Sequence, residues 1–169
     1  MAKKYTIKKY SSGVDRLKML PIVFGPRNIV SCGLSFEALV TTKARQITEE
    51  YDGGEWGIYT VTPNEDLSIF LPIYALDPSK TYKVNSPDNY FQGEMTGFAL
   101  GSALSLIALS HLSFQVETQE EQDLVGDLHH RLRDFILSYD NDISTFNDFN
   151  PKDVALTRKD VNLIIALID

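Results

Sequence analysis

A single cysteine, Cys32, and three histidines are the only thiol and imidazole groups in 169 residues. One thiol cannot close an internal disulfide, and no Cys–His run has zinc-ligand spacing, so a disulfide scaffold and a structural zinc site are excluded. Such sparing use of cysteine fits a reducing cytoplasm. The N-terminal MAKKYTIKKY is basic, but no apolar run of signal-peptide length follows it, which argues against export. Phosphate-cradling motifs are absent too. The glycine-rich DGGEWG has neither the GxxxxGK nor the GxGxxG spacing, and it leads into a strand pattern where the backbone amides of an anion cradle need a helix start. Positive charge is scarce, with 16 Lys and Arg against 23 Asp and Glu for a net charge of -7. It is also uneven. Residues 1–30 hold seven basic side chains against one acid, and the remainder nine against twenty-two. The basic end reads as a solvated terminal segment, with a contact to nucleic acid or an acidic partner as the alternative, and the acidic body argues against broad duplex binding.

What is present is enough apolar sequence, 43%, for one folded domain spanning residues 1–169. Phe36, Val40, Ala44, Ile47 and Tyr51 fall on one stripe of a helix over about 36–51, with Ser35 as its cap, and Gly53 and Gly54 stop it. EWGIYTVT and LSIFLPIY, separated by PNED, predict an antiparallel hairpin that TYKV and NYFQG extend. IVSCGL reads as a strand or turn. The uncharged run Met95–Val116 has the length of a membrane span, but its Thr, Ser, His and Gln content and the absence of flanking cations make it a buried central helix. Gly97, Gly101 and Ser105 recur at four-residue steps, a stripe that lets another element approach closely. TQEE opens the next helix with Thr118 as cap, residues 140–156 read as a long loop, and Thr157 with Asp160 caps a terminal helix. The fold class is therefore α+β, a small antiparallel sheet of three or four strands with about four helices.

No catalytic or metal motif stands out. His129 and His130 are helix neighbours pointing about a hundred degrees apart, a poor metal pair, and His111 stands alone in apolar company. Cys32 has no base nearby in sequence.

RLKMLPIVFG (16–25), YDGGEWGIYTV (51–61), NYFQGEM (89–95), the Gly101 helix, HHRLRDF (129–135) and the terminal IALID nevertheless form an ordered set. In order and rough spacing the chain resembles the ArdB/KlcA antirestriction proteins over most of its length. Its most specific piece is Tyr51, Gly53, Gly54, Trp56 and Tyr59, followed about thirty residues later by Asn89 to Glu94. Two departures are visible: the family's Ser-Ala-Asp-Ala after the Gly-Glu pair reads TGFA, with Phe98 in place of the acid, and residues 140–156 are longer. The resemblance implies a small protein of a plasmid, phage or other mobile element that relieves cleavage by type I restriction-modification enzymes. It also implies no catalysis and no cofactor, with the restriction enzyme or an associated host protein as partner, while the residues themselves point to no metal site and no membrane contact.

Charge counting weighs one mechanism. Duplex DNA carries one charge per about 1.7 Å, so a helix of 22 residues, about 33 Å long, must imitate roughly twenty charges to mimic it. The segment 118–139 offers five acids against Arg131 and Arg133. Mimicry by one acidic helix is excluded, which leaves an interaction protein as the main reading. The alternatives are a hydrolase using Glu55, Glu94 and His111, or an antirestriction relative reused in another defence-related role. Arg16, Glu55, Trp56, Tyr59, Glu94 and Arg133 are the candidate partner contacts, the charged ones because a core does not need them. Pro21, Phe24, Gly25, Tyr51, Gly53, Gly54, Tyr90, Gly93 and Gly101 are the candidate framework residues. Trp56 and Tyr59, at odd spacing, belong to opposite faces of a strand, one packing and the other showing.

Overall fold

The lysine-rich N-terminus is built into the fold. In the computed structural model, which describes residues 4–10, 14–51, 53, 56–138, 143–146 and 151–168, strand β1 (Tyr5–Tyr10) lies inside a four-stranded sheet. It pairs antiparallel with β2 (Gly57–Pro63), Ile7 opposite Val61, and both of those side chains are fully buried. The expectation of a solvated basic end is thereby corrected. The lysines keep their charge at the surface while Lys8 and Lys9 lay their ammonium groups 4.7 Å and 5.8 Å from the rings of Tyr10 and Tyr59.

β2 continues into β3 (Leu71–Ala75) through the predicted hairpin. The other edge of β1 is covered by a parallel strand, β6 (Ile143–Phe146), so the stretch expected to be a long loop carries a strand and, at Pro151–Val154, a 3-10 turn. A central strand needs partners on both edges, and β6 supplies the second. β4 (Thr81–Ser86) and β5 (Phe91–Thr96) pair with each other as a separate two-stranded sheet and do not extend the first one.

Five α-helices are present among the described residues. α1 (Val14–Phe24) carries Pro21 inside it and is followed by a 3-10 turn at Pro26–Asn28 and a π-helical turn at Ile29–Leu34, which leads directly into α2 (Ser35–Ile47). IVSCGL is therefore helical, and Ser35 is not a cap: its hydroxyl donates to the Val30 carbonyl at 3.5 Å. α2 ends at Ile47, earlier than its apolar stripe suggests, because Thr48 turns to extended geometry.

α3 (Gly97–Gln115) is the centre of the molecule. Its hydropathy and length would suit a membrane span, but 72% of it is buried among the other elements, as befits a helix apolar on every face. Gly97 and Gly101 do what their spacing predicts. A Cβ at Gly101 would lie 2.2 Å from the Tyr74 carbonyl oxygen, and one at Gly97 would lie 2.3 Å from that of Asp77, so only glycine lets β3 and its exit lie on the helix. Ser105 completes the stripe by accepting the Tyr74 N–H at 3.0 Å. α4 (Gln119–Leu137) buries Val125, Leu128, Leu132 and Phe135, and α5 (Arg158–Ile168) closes the core with Val161, Ile164 and Leu167.

Candidate functional site

Two features gather the sequence-singled residues: a belt of aromatic rings and ions across α1, α2 and β3, and a pair of clefts on either side of the β4–β5 hairpin. The belt begins at Arg16 on α1. Its Nε lies 3.4 Å from Oε2 of Glu37 on α2, an ion pair whose Nε–H is buried and aligned with no hydrogen-bond acceptor. The same carboxylate oxygen accepts the hydroxyl proton of Tyr74, a ring only 2% exposed. Burial first, and the hydrogen bond to Glu37 second, hold that phenol protonated far above its ordinary range. Trp56, half-buried, stands 6.4 Å from the Tyr74 ring and 5.0 Å from Tyr51, and the Arg45 guanidinium sits 6.0 Å from the Tyr51 ring. Gly53, between Tyr51 and Trp56 in sequence, takes φ +84°, a backbone conformation that favours glycine. Gly54 and Glu55 lie outside the described residues.

Arg45 links the belt to the larger cleft, about 850 Å³, which runs between the end of α2 and the hairpin. Glu50, Lys83, Asn85, Gln92 and Glu94 also line it. Glu50 Oε1 accepts the Lys83 N–H at 3.2 Å, and Glu94 stands exposed directly across the strands from Lys83. Gly93 belongs to the same wall. The smaller cleft, about 330 Å³, holds Arg133 together with His111 and His129. Glu94 and His111, two of the three groups a hydrolase would need, thus line different clefts.

The remaining framework candidates are placed as follows. Phe24 is 1% exposed with its ring 5.6 Å from that of Phe36, and Gly25 takes φ +85° where α1 ends. Tyr90 is 90% exposed and adopts φ +60°, a backbone conformation unusual for a tyrosine. Tyr59 is 2% exposed and meets Phe98 edge to face at 5.6 Å, so it reaches no partner without disruption of the core. Phe98, in the place of the acid, packs inward at 2% exposure. Cys32 is fully buried beside Glu121, and burial pushes its thiol up, away from nucleophilic use. Glu37, Tyr74, Arg45 and Lys83 were not singled out by sequence. An acid in the first turn of a helix and a tyrosine in a strand are unremarkable until tertiary packing joins them. Among the described residues no group of three or more His, Cys, Asp or Glu is placed to hold a metal ion.

Comparisons with known proteins agree on one family. The family model described as "Antirestriction protein" matches residues 49–145. Two Escherichia coli proteins, each described as "Antirestriction protein KlcA", are 32% and 29% identical to the chain over 121 residues. Those alignments cover 72% of this chain and 78% and 77% of the two relatives. A solved structure from work on KlcA and ArdB superposes with a TM-score of 0.67 at 24% identity, covering 100% of this chain and 99% of its own. That work describes a novel fold and antirestriction activity against type I DNA restriction systems in vivo but not in vitro.

Proposed function

The chain belongs to the antirestriction protein family, and from that premise we propose that it relieves cleavage of incoming DNA by type I restriction-modification systems through contact with a protein. The partner is the restriction enzyme or a host protein associated with it, and the setting is the cytoplasm of a cell that has received a mobile element. The observation that carries this reading is the continuity of the aromatic–ion belt with the charged 850 Å³ cleft: the chain of contacts runs from Arg16 through Glu37, Tyr74, Trp56 and Tyr51 to Arg45, and Arg45 shares the cleft wall with Glu94. Arg and Trp at the edge of a polar depression are the residue types that anchor protein interfaces. Glu55, between Gly54 and Trp56 in sequence, belongs to the same proposed contact.

Two further points support contact over mimicry or catalysis. Three of the five acids of α4 are engaged locally, Asp127 with Arg131 at 3.0 Å, Asp123 with Gln119 at 2.7 Å and Glu121 with Thr118 at 2.7 Å, and the two others, Glu120 and Asp134, fall far short of a phosphate-like lattice. For the KlcA and ArdB proteins, activity present in vivo and absent in vitro fits a component that the cell supplies. The test is the plating efficiency of unmodified phage on a type I restricting host with and without this gene. A rise in plating with modification left intact is the expected result, and an unchanged count overturns the reading.

A further inference from the structure

The 330 Å³ cleft is built from four of the segments that the sequence singled out, although they lie up to about eighty residues apart. Asn89 comes from NYFQGEM, His129 and Arg133 from HHRLRDF, Leu167 and Ile168 from the terminal IALID, and Leu106, Ile107, Ser110 and His111 from the Gly101 helix. Asn89 fixes the assembly. Its Nδ2 donates to the carbonyls of Ala166 and Leu167 at 3.2 Å and 2.8 Å, tying the end of α5 to the hairpin turn, while its Oδ1 accepts the Phe91 N–H at 3.2 Å. The walls are thus held in place by bonds that use up the amide.

Charge in this cleft runs against the molecule. The chain carries -7 overall, yet among the described residues that line the cleft Lys43 and Arg133 stand against one carboxylate, Asp88, while His111 and His129 add imidazole nitrogens. That carboxylate is already taken by Lys43 at 2.8 Å. Arg133, His111 and His129 form no hydrogen bond or ion pair with any described residue. A guanidinium fork, two ring nitrogens and the Ser110 hydroxyl are a donor set suited to the several oxygens of a phosphate. The rest of the lining includes four aliphatic side chains, Leu106, Ile107, Leu167 and Ile168. At about 330 Å³ the cleft is larger than a phosphate requires, which leaves the aliphatic part for an organic body.

We infer that this cleft binds a small phosphomonoester, of the nucleoside 5′-monophosphate class, with the phosphate on Arg133, His111 and His129 and the organic portion against α3 and α5. This goes beyond the proposed protein contact and is independent of it, because binding is read on the purified chain. The probes are adenosine 5′-monophosphate, adenosine and inorganic phosphate, titrated by calorimetry and by amide chemical shifts. The nucleotide should bind at least about tenfold more tightly than either fragment and shift the amides of Ser110, His111 and Arg133. Arg133→Ala and His111→Ala, both at exposed positions, should each weaken nucleotide binding about tenfold with an unchanged melting curve, whereas Lys80→Ala, in the β3–β4 turn, should bind as wild type does. Equal affinity for adenosine and the nucleotide would remove the phosphate site. Equal affinity for phosphate and the nucleotide would remove the organic subsite. Wild-type binding by both Arg133→Ala and His111→Ala, or no saturable binding at millimolar nucleotide, would overturn the assignment altogether.

Discussion

Tyr74 is held at both ends, its N–H by the Ser105 hydroxyl oxygen and its own hydroxyl by Glu37, and this makes it the residue where helix α3, strand β3 and helix α2 are pinned together. Glu37→Ala strands a buried phenol hydroxyl and leaves Arg16 without its carboxylate, so unfolding in urea should show a loss of about 2 kcal/mol. Tyr74→Phe deletes the donor yet leaves the Arg16–Glu37 pair standing, and it should cost less than Glu37→Ala. If the order of the two is reversed, the carboxylate is not what holds the phenol. Gly101→Ala is the harsher change. Its methyl would meet backbone atoms of Tyr74 and Ala75 that cannot rotate away, and a loss of about 3 kcal/mol is expected from the same measurement. The two sites differ in legibility. The four-residue spacing of Gly97, Gly101 and Ser105 announces a close approach in the residue order itself, because helix periodicity is local. Nothing local marks Glu37 or Tyr74, whose meaning arises only when residues thirty-seven apart in sequence come into contact.

Elements with strong end signals were the readable ones. Thr118 caps α4 by accepting the Glu121 N–H at 3.1 Å, and α5 opens with a reciprocal pair in which Asp160 accepts from the Thr157 N–H at 2.9 Å while Thr157 accepts from the Asp160 N–H at 3.1 Å. Asp160→Ala should lower stability by about 1 kcal/mol, read as a shift in the urea midpoint at constant slope. Strand partners were less readable. GIYTVTP and LPIYA are joined by a short turn and pair as expected, but β1 finds β2 across some fifty residues and β6 across more than a hundred. Its pattern, with only Ile7 and Tyr10 buried, lacks the strict alternation that reveals a strand. Lys43 and Asp88 clamp α2 to the hairpin turn at 2.8 Å, and the bond to Lys43 holds the Asp88 carboxyl below its ordinary range. A carboxyl whose folded value is depressed adds stability above its unfolded value, near 3.9, and that stability is lost as pH falls through the lower folded value. Asp66 and Asp77, lowered by hydrogen bonds from Ser68 and Ser79, act in the same direction. The melting temperature should therefore fall along two limbs as pH drops: a first between about pH 7 and pH 5, where burial of His129 holds its imidazole below the ordinary range and protonation favours the unfolded chain, and a carboxylate limb below about pH 4 that Asp88→Asn should make shallower. An equally steep fall in the variant would show that the clamp contributes nothing to the acid limb.

At the scale of the molecule, stability and restriction relief should be separable, because the core and the proposed contact use different residues. The core is centred on α3 and the rings around it, including Tyr59 and Phe98, which the sequence set among contact residues and departures. The rim of the larger cleft is charged and solvated at Arg45 and Glu94. Tyr59→Ala should lower the melting temperature sharply, by the several kcal/mol that a fully buried aromatic contributes, and reduce relief in proportion to the folded protein remaining in the cell. Arg45→Ala and Glu94→Ala should leave the melting temperature within about 2 °C of wild type, since exposed substitutions rarely exceed half a kcal/mol. Each should nevertheless reduce phage plating about tenfold, the effect of losing ~1.4 kcal/mol of partner contact. Plotted as relief against melting temperature, the core variant should fall on a line through wild type and the two rim variants well below it. Rim variants that sit on the same line would mean that relief follows the amount of folded protein and nothing else, and the belt and cleft would then be framework throughout.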